Sequence, residues 1–315
     1  MKRKGNLYEQ IISLDNLRLA DKKARKGKKW QYGVINHSKN RENNILKLYE
    51  ILRNKEFKTS RYSIFTIFDK KEREIFSLPY YPDRIVHHAI LNIISSIFLN
   101  CFISTTYSCI PNKGIHKCLI DVKKSLKDET NTLYCLKLDI KKYYPSINKS
   151  ILKKFLRKKF KDRDLLTLLD SIIDSNENGL PIGNYLSQFF ANFYLTYFDH
   201  YLKEQKKVKY YFRYMDDVVI LHNSKEYLHK LKIDIETYLF NVLDLELSNW
   251  QVFPVKSRGI DFVGYKIFHT HVLLRKSIKN NFIKMIKYNK NTKSITSYNG
   301  WLSWCDSINL QRKYL

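Results

Sequence analysis

Residues 210–223 read YYFRYMDDVVILHN, two aromatic and apolar runs on either side of the acidic pair Asp216 and Asp217. Residues of this kind predict two strands, 208–214 and 217–222, with the pair on the hairpin turn between them. A lone Asp-Asp is ordinarily a solvated turn. Here a further strand, TLYCLKLDI at 132–140, ends on an acid of its own, Asp139. Helices are expected at 150–173, from Ser187 to about Glu204, and at 224–240, the last capped by Ser224. The order from 132 to 247 is then strand, helix, strand, strand, helix, strand, the split βαβ pattern of a ferredoxin-like domain. In such a sheet the first strand lies beside the hairpin, which lets Asp139 approach Asp216.

The chain has 315 residues, 57 Lys and Arg against 30 Asp and Glu, and a formal charge of +27. Three carboxylates converging in so basic a protein call for a counter-ion. Magnesium suits them, because it is shared between a few carboxylates and substrate phosphates. Two such ions ~3.5 to 4 Å apart drive in-line phosphoryl transfer. The positive excess itself favours a polyanionic partner, with nucleic acid the default. Basic runs at 21–30, 152–163 and 276–293 spread that charge along the whole length rather than into one tail.

With 44 % hydrophobic residues the chain has material for a sizeable core and for two or three subdomains. No apolar stretch approaches the ~20 residues of a membrane span, and no signal-peptide core follows Met1, so a cytoplasmic protein is expected. Cys101, Cys109, Cys118, Cys135 and Cys305 form no CxxC pair and are expected as buried, reduced thiols. The adjacent His87 and His88 lack the spacing of a helical metal pair and read as structural or RNA-facing. Residues 7–57 look helical and basic, 61–79 read as two short strands around a charged turn, and 83–100 as a mostly buried helix capped by Asp83.

YMDD together with LKLDIKKYYPSI (136–147) resembles the palm of reverse transcriptases. KKEREIFSLPYYPDRIVHHAI and SCIPNKGIHKCL resemble the family's fingers, GLPIGNYLSQFFANFYL its second palm motif, and GIDFVGYKI its primer grip. The form IGNYLSQ, Ile182 to Gln188, is similar to the enzymes of diversity-generating retroelements, as are the N-terminal segment and the terminal YNGWLSWCDSINL. The resemblance implies an α/β (α+β) right-hand polymerase fold: a basic helical N-terminal segment at 1–58, fingers at 59–131, a ferredoxin-like palm at 132–258, and primer grip with a short helical thumb at 259–315.

Residue roles follow from the same resemblance. Asp139 and Asp216, with the Ile140 carbonyl, are expected to hold two Mg2+ ions, which Mn2+ could replace, and Asp217 is the third acid. Tyr144 occupies the steric-gate position. Arg73 matches the arginine that grips the incoming triphosphate, a task suited to its bidentate fork; Lys71 and Arg84 are generic backbone contacts. Ile182, Gly183 and Gln188 face template and nucleotide, and Phe262, Gly264 and Tyr265 hold the primer. Lys256 or Arg258 could protonate the leaving pyrophosphate. Accurate reverse transcriptases carry Gln where this chain has Ile182. An apolar contact discriminates by only ~1 to 3 kcal/mol, so low fidelity is expected, and the resemblance places the errors at template adenines. Expected partners are a structured template RNA, a primer of RNA or DNA, the cDNA, and a small basic oligomeric accessory protein. With 50 residues after Tyr265, no RNase H or endonuclease domain is expected there.

Overall fold

The computed structural model describes residues 3–69, 71–288 and 291–314. The chain folds into two compact units, each assembled from separated parts of the sequence. One takes 1–102, 142–197 and 243–245, the other 103–141, 198–242 and 246–315.

The first unit is mainly helical. Its N-terminal helices Tyr8–Ile12, Leu14–Ala24, Tyr32–Lys39 and Arg41–Arg53 bury Ile11, Leu17, Ala20, Ile45, Leu48 and Leu52. The helix Ile85–Leu99 buries Ile85, Val86, Ala89, Ile90 and Ile94. Buried Asn16 ties three of these helices, its amide donating to the Ile11 carbonyl at 2.8 Å and the Ala89 carbonyl at 3.0 Å. Asp21, also buried, accepts from the Tyr80 hydroxyl at 2.6 Å, Arg25 at 2.8 Å and Arg41 at 2.6 Å. Strands β1 (Ser63–Asp69) and β2 (Lys71–Ser77) form the antiparallel hairpin expected around the charged turn.

Two local expectations need correction. The single helix at 150–173 is two helices, Lys149–Lys159 and Arg163–Asp174. Between them Phe160 is buried and bridges to Lys4, and Asp162 caps the second helix through the Leu165 amide at 3.1 Å. The other oxygen of Asp162 takes the Leu7 and Tyr8 amides at 2.7 and 3.0 Å, so docking of the N-terminus sets the break. Asp83 does not cap the following helix, which starts at Ile85; its carboxylate accepts the Ser60 amide at 3.0 Å and is fully buried.

In the second unit β3 (Tyr134–Ile140), β4 (Tyr210–Tyr214), β5 (Asp217–His222) and β6 (Leu247–Pro254) form one antiparallel sheet in the order β4-β5-β3-β6. That is the ferredoxin-like order predicted from the sequence. Ser224 caps the helix Lys225–Leu243, its hydroxyl oxygen accepting the Tyr227 amide at 3.1 Å. A smaller sheet of β7 (Ile260–Phe262), β8 (Tyr265–Ile267) and β9 (Val272–Leu274) precedes the helices Lys276–Tyr288, Thr292–Leu302 and Ile308–Tyr314. One apolar core joins both sheets and these helices, including Phe212, Val219, Phe253, Phe262, Tyr265 and Phe282.

All five cysteines are free thiols, but only Cys101, Cys118 and Cys135 are buried; Cys109 and Cys305 are half-exposed. His87 is buried and structural, and burial holds its imidazole down at about 3. His88 stacks on Tyr185 with ring centroids 4.3 Å apart. No helix among the described residues is long and apolar enough to cross a membrane.

Candidate active site

Tyr214 and Asp217 close the β4–β5 hairpin, which leaves Met215 and Asp216 as its two loop residues. Met215 has φ +55° and Asp216 does not share the positive sign. This is the type II′ pattern, whose first loop position ordinarily belongs to glycine. A methionine there costs about 1–3 kcal/mol, so the surrounding contacts must hold the turn.

β3 pairs with β5 up to Leu138 opposite Val218, so one step further along the ladder Asp139 is level with Asp217. On its other edge β3 pairs with β6, where the register slips between Asp139–Asn249 and Ile140–Leu247. Ser248 is the extra residue of that bulge, and bulges commonly re-aim a side chain. Its hydroxyl reaches the Asp139 carboxylate at 2.9 Å and the Asp139 carbonyl at 3.2 Å. The bulge thus fixes the acid and its own backbone together.

Asp217 is strongly perturbed. Burial pushes its carboxyl up to about 7, Asp139 and Asp216 add to the rise, and Lys137 opposes it. The Lys137 ammonium lies 3.4 Å from Asp217 Oδ2 and also donates to the Asp261 carbonyl. Asp217 Oδ1 is buried with no hydrogen-bond partner. A buried oxygen without a donor, beside two more carboxylates, fits a cation. Among the described residues no three His, Cys, Asp or Glu groups form a ready-made metal cluster. A hard ion here would complete its shell with water, backbone and substrate oxygens, as magnesium does.

Lys137 and Ser248 were not picked out by the sequence reading. Lys137 carried a signal, since residues two apart on a strand share a face and it precedes Asp139 by two. Ser248 carried none, because a bulge is not written in local pattern.

Tyr144, Ile182, Gly183, Gln188, Lys71, Arg73 and Arg84 lie in the first unit. Tyr143 is buried and its hydroxyl donates to the Ala191 carbonyl, whereas Tyr144 is half-exposed. The Tyr144 carbonyl accepts the Leu180 amide at 2.9 Å next to Gly179, where a Cβ would collide with that same carbonyl oxygen. The Ile182 carbonyl accepts the Phe76 amide at 2.7 Å, which joins this loop to β2. Gly183 has φ +111°, and a Cβ on it would come within 2.7 Å of the Phe76 carbonyl. Asn184 caps the helix Tyr185–Tyr194 through the Leu186 amide at 3.0 Å, and Gln188 is exposed on its second turn. Arg73 is exposed on β2 and Arg84 is half-buried; the side chain of Lys71 lies outside the described residues.

The β7–β8 hairpin, back in the second unit, turns through Val263 and Gly264, both with positive φ, between Phe262 and Tyr265. Phe262 and Tyr265 are fully buried, and the Tyr265 hydroxyl donates to the Trp301 carbonyl at 3.1 Å. Lys256 and Arg258 fall on the short helix Val255–Arg258, where Arg258 lies over the Phe253 ring at 4.7 Å and bonds Gln251.

An antiparallel sheet in ferredoxin order, with acids on a tight hairpin and on the adjoining strand, has the construction of a right-hand polymerase palm. Residues 58–267 match the family described as reverse transcriptase (RNA-dependent DNA polymerase), and the chain belongs to that family. It is 24 % identical over 235 residues to Protein YkfC of Escherichia coli strain K12, an alignment covering 60 % of this chain and 62 % of that protein. It is 25 % identical over 195 residues to the retron Ec73 reverse transcriptase of Escherichia coli, covering 56 % and 60 % respectively. The chain therefore spans less than two thirds of the length of these relatives. Apo telomerase from Candida tropicalis superposes with a TM-score of 0.52 at 14 % identity, over 70 % of this chain and 49 % of that one. Telomerase from Candida albicans with a fragment of telomeric RNA gives 0.51 at 12 %, over 76 % and 52 %. At such identities the likeness is one of fold.

Proposed function

We propose that the chain is an RNA-directed DNA polymerase that extends a primer along a template RNA, and that it is the low-fidelity kind used by diversity-generating retroelements. The observation that carries the polymerase reading is the orphaned Asp217 oxygen beside Asp139 and the strained Asp216 turn. Mg2+, or Mn2+ in its place, would be held by Asp139, Asp216 and the Ile140 carbonyl, with Asp217 as the third acid. When bound, two such ions activate the attacking oxygen and neutralise charge on the leaving one.

The chain's own residues set the rest. Ser248 orients Asp139, and Lys137 offsets the charge of Asp217. Tyr144 is the gate against a ribose 2′-hydroxyl, a role supported by its exposure and by the anchoring of Tyr143 in the core. Arg73 meets the triphosphate and Ile182 the nascent pair; Gly183 and Gln188 line the same loop and helix. Phe262, Gly264 and Tyr265 shape the primer grip, and residues 1–58, 59–131, 132–258 and 259–315 serve as N-terminal segment, fingers, palm and thumb. Lys71, Arg84 and the pair Lys256 and Arg258 contribute cationic contacts to nucleic acid or pyrophosphate. The basic N-terminal segment engages the structured RNA or the accessory protein.

The likeness to a retron reverse transcriptase favours a second reading, a bacterial enzyme whose cDNA is itself the effector in phage defence. Sequencing cDNA made from one template containing all four bases separates the two. The first reading expects substitutions concentrated at template adenine, and Ile182→Gln should lower them roughly two- to tenfold, the worth of one hydrogen bond. Faithful cDNA from the wild type would favour the second reading. No primer-dependent cDNA at all would overturn both.

A further inference from the structure

The hairpin that carries Asp216 is braced from behind by a buried ion pair. The side chains of Arg213, on β4, and Asp199 are both wholly buried. The guanidinium donates to Asp199 twice, through Nε to Oδ1 at 2.7 Å and Nη2 to Oδ2 at 2.5 Å. Its remaining terminal nitrogen, Nη1, donates to the Met215 carbonyl at 2.9 Å. Asp199 also accepts from the hydroxyls of Tyr211 at 2.5 Å and Thr106 at 3.1 Å. The backbone of Arg213 is pinned as well, its amide to Thr105 and its carbonyl to the Tyr107 amide.

Burying an ion pair is a poor way to gain stability, since apolar side chains of the same volume often do as well. What apolar side chains could not supply is the third bond. The Met215 carbonyl and the Asp216 amide share one rigid peptide plane. Holding that carbonyl therefore fixes the direction in which Asp216 leaves the turn. The turn needs holding, because Met215 sits at φ +55° where glycine is the usual occupant.

We propose that Arg213, clamped by Asp199, is a positioning residue that locks the Met215–Asp216 turn in the arrangement presenting the Asp216 carboxylate to divalent ions. The proposal rests on the reading of Asp216 as a metal ligand. Arg213→Lys keeps a charge beside Asp199 but lacks the planar fork that spans Asp199 and the Met215 carbonyl together. Met215→Gly removes the backbone strain that the fork restrains.

The test measures Mn2+ affinity of the full chain by water-proton relaxation, together with kcat, nucleotide KM and thermal midpoint, for R213K, M215G and the double variant. R213K should weaken Mn2+ binding about tenfold and lower kcat about ten- to a hundredfold, as small misplacements of reacting groups do, with nucleotide KM nearly unchanged. R213K/M215G should bind Mn2+ more tightly and turn over faster than R213K. Should R213K fail to fold, Asp199→Asn with and without M215G carries the same comparison. A lowered midpoint with unchanged Mn2+ affinity, or losses that simply multiply in the double variant, would reduce Arg213 to a core ion pair. Asp216→Asn is run alongside. If it binds Mn2+ and extends primers like the wild type, the metal assignment fails and the proposal with it. If it is inactive while the double variant shows no recovery, only the role of Arg213 fails.

Discussion

At the scale of single residues the chain places charge where the fold makes charge expensive. Asp217 pays that expense most visibly, its carboxyl pushed up to about 7 by burial with like charges adding to the effect. The proposed relief by cations implies that removing one charge removes much of the site's hold on them. Asp216→Asn should accordingly abolish metal-dependent primer extension, by at least a thousandfold if the ions supply several kcal/mol of charge stabilisation. RNA binding, which rests on dispersed Lys and Arg, should survive. Primer extension by the variant at wild-type rate would remove Asp216 from the metal site. Tyr144 is argued differently, from position rather than charge. Its half-exposed ring contrasts with buried Tyr143, so Tyr144→Ala should admit ribonucleotides while still using deoxynucleotides. Single-nucleotide extension with rNTP and dNTP measures the ratio, and an unchanged ratio would make Tyr144 a packing residue only.

At the scale of elements, what could be read from sequence was whatever depended on neighbours in the chain. The hairpin around Asp216 and Asp217 was legible because continuous aromatic and apolar runs, buried in the strands they form, flank a two-residue turn. The ferredoxin order followed from the alternation of strands and helices. The break at Phe160–Asp162 was not legible, because the Asp162 carboxylate answers to Leu7 and Tyr8, more than 150 positions away. Asp83 was misread as a cap for the same reason, its partner being Ser60. The bulge at Ser248 and the Arg213–Asp199 clamp likewise arise only when strands meet. The β7–β8 hairpin offers a test at this scale. Gly264 has φ +89°, and a Cβ there would collide with the Trp301 ring, which packs on Tyr265 at 5.4 Å. Gly264→Ala should destabilise by about 1–3 kcal/mol, combining overpacking with a disfavoured φ. Gly300, inside the helix Thr292–Leu302 with nothing within 4 Å of its Cβ position, is the control. Gly300→Ala should be neutral or stabilising by up to about 1 kcal/mol. Urea unfolding of both variants decides, and equal midpoints would mean that the tight turn does not constrain the hairpin.

At the scale of the whole molecule the governing quantity is the charge of +27. Such an excess costs self-repulsion in the free protein, a cost recovered when a polyanion displaces counter-ions. The affinity for template RNA should then fall linearly on a log–log plot against salt. The segment at 25–32 is the sharpest place to test it. Lys26 and Lys29 are exposed, Lys28 is half-buried, and Trp30 and Tyr32 beside them are 75 % and 83 % exposed. Cations interleaved with open aromatic rings suit a single strand, which offers phosphates to one and base faces to the other. Replacing Lys26, Lys28 and Lys29 with Ala together should reduce the salt slope by roughly two, since each single-strand phosphate neutralised by a lysine contributes about 0.7. The same triple variant should extend a short primed template at close to the wild-type rate, because none of the three belongs to the acidic site. A filter-binding titration at several salt concentrations, paired with primer extension, separates these effects. An unchanged slope would assign the run to a contact other than RNA or to solvent, and a loss of chemistry equal to that of Asp216→Asn would put it at the catalytic centre.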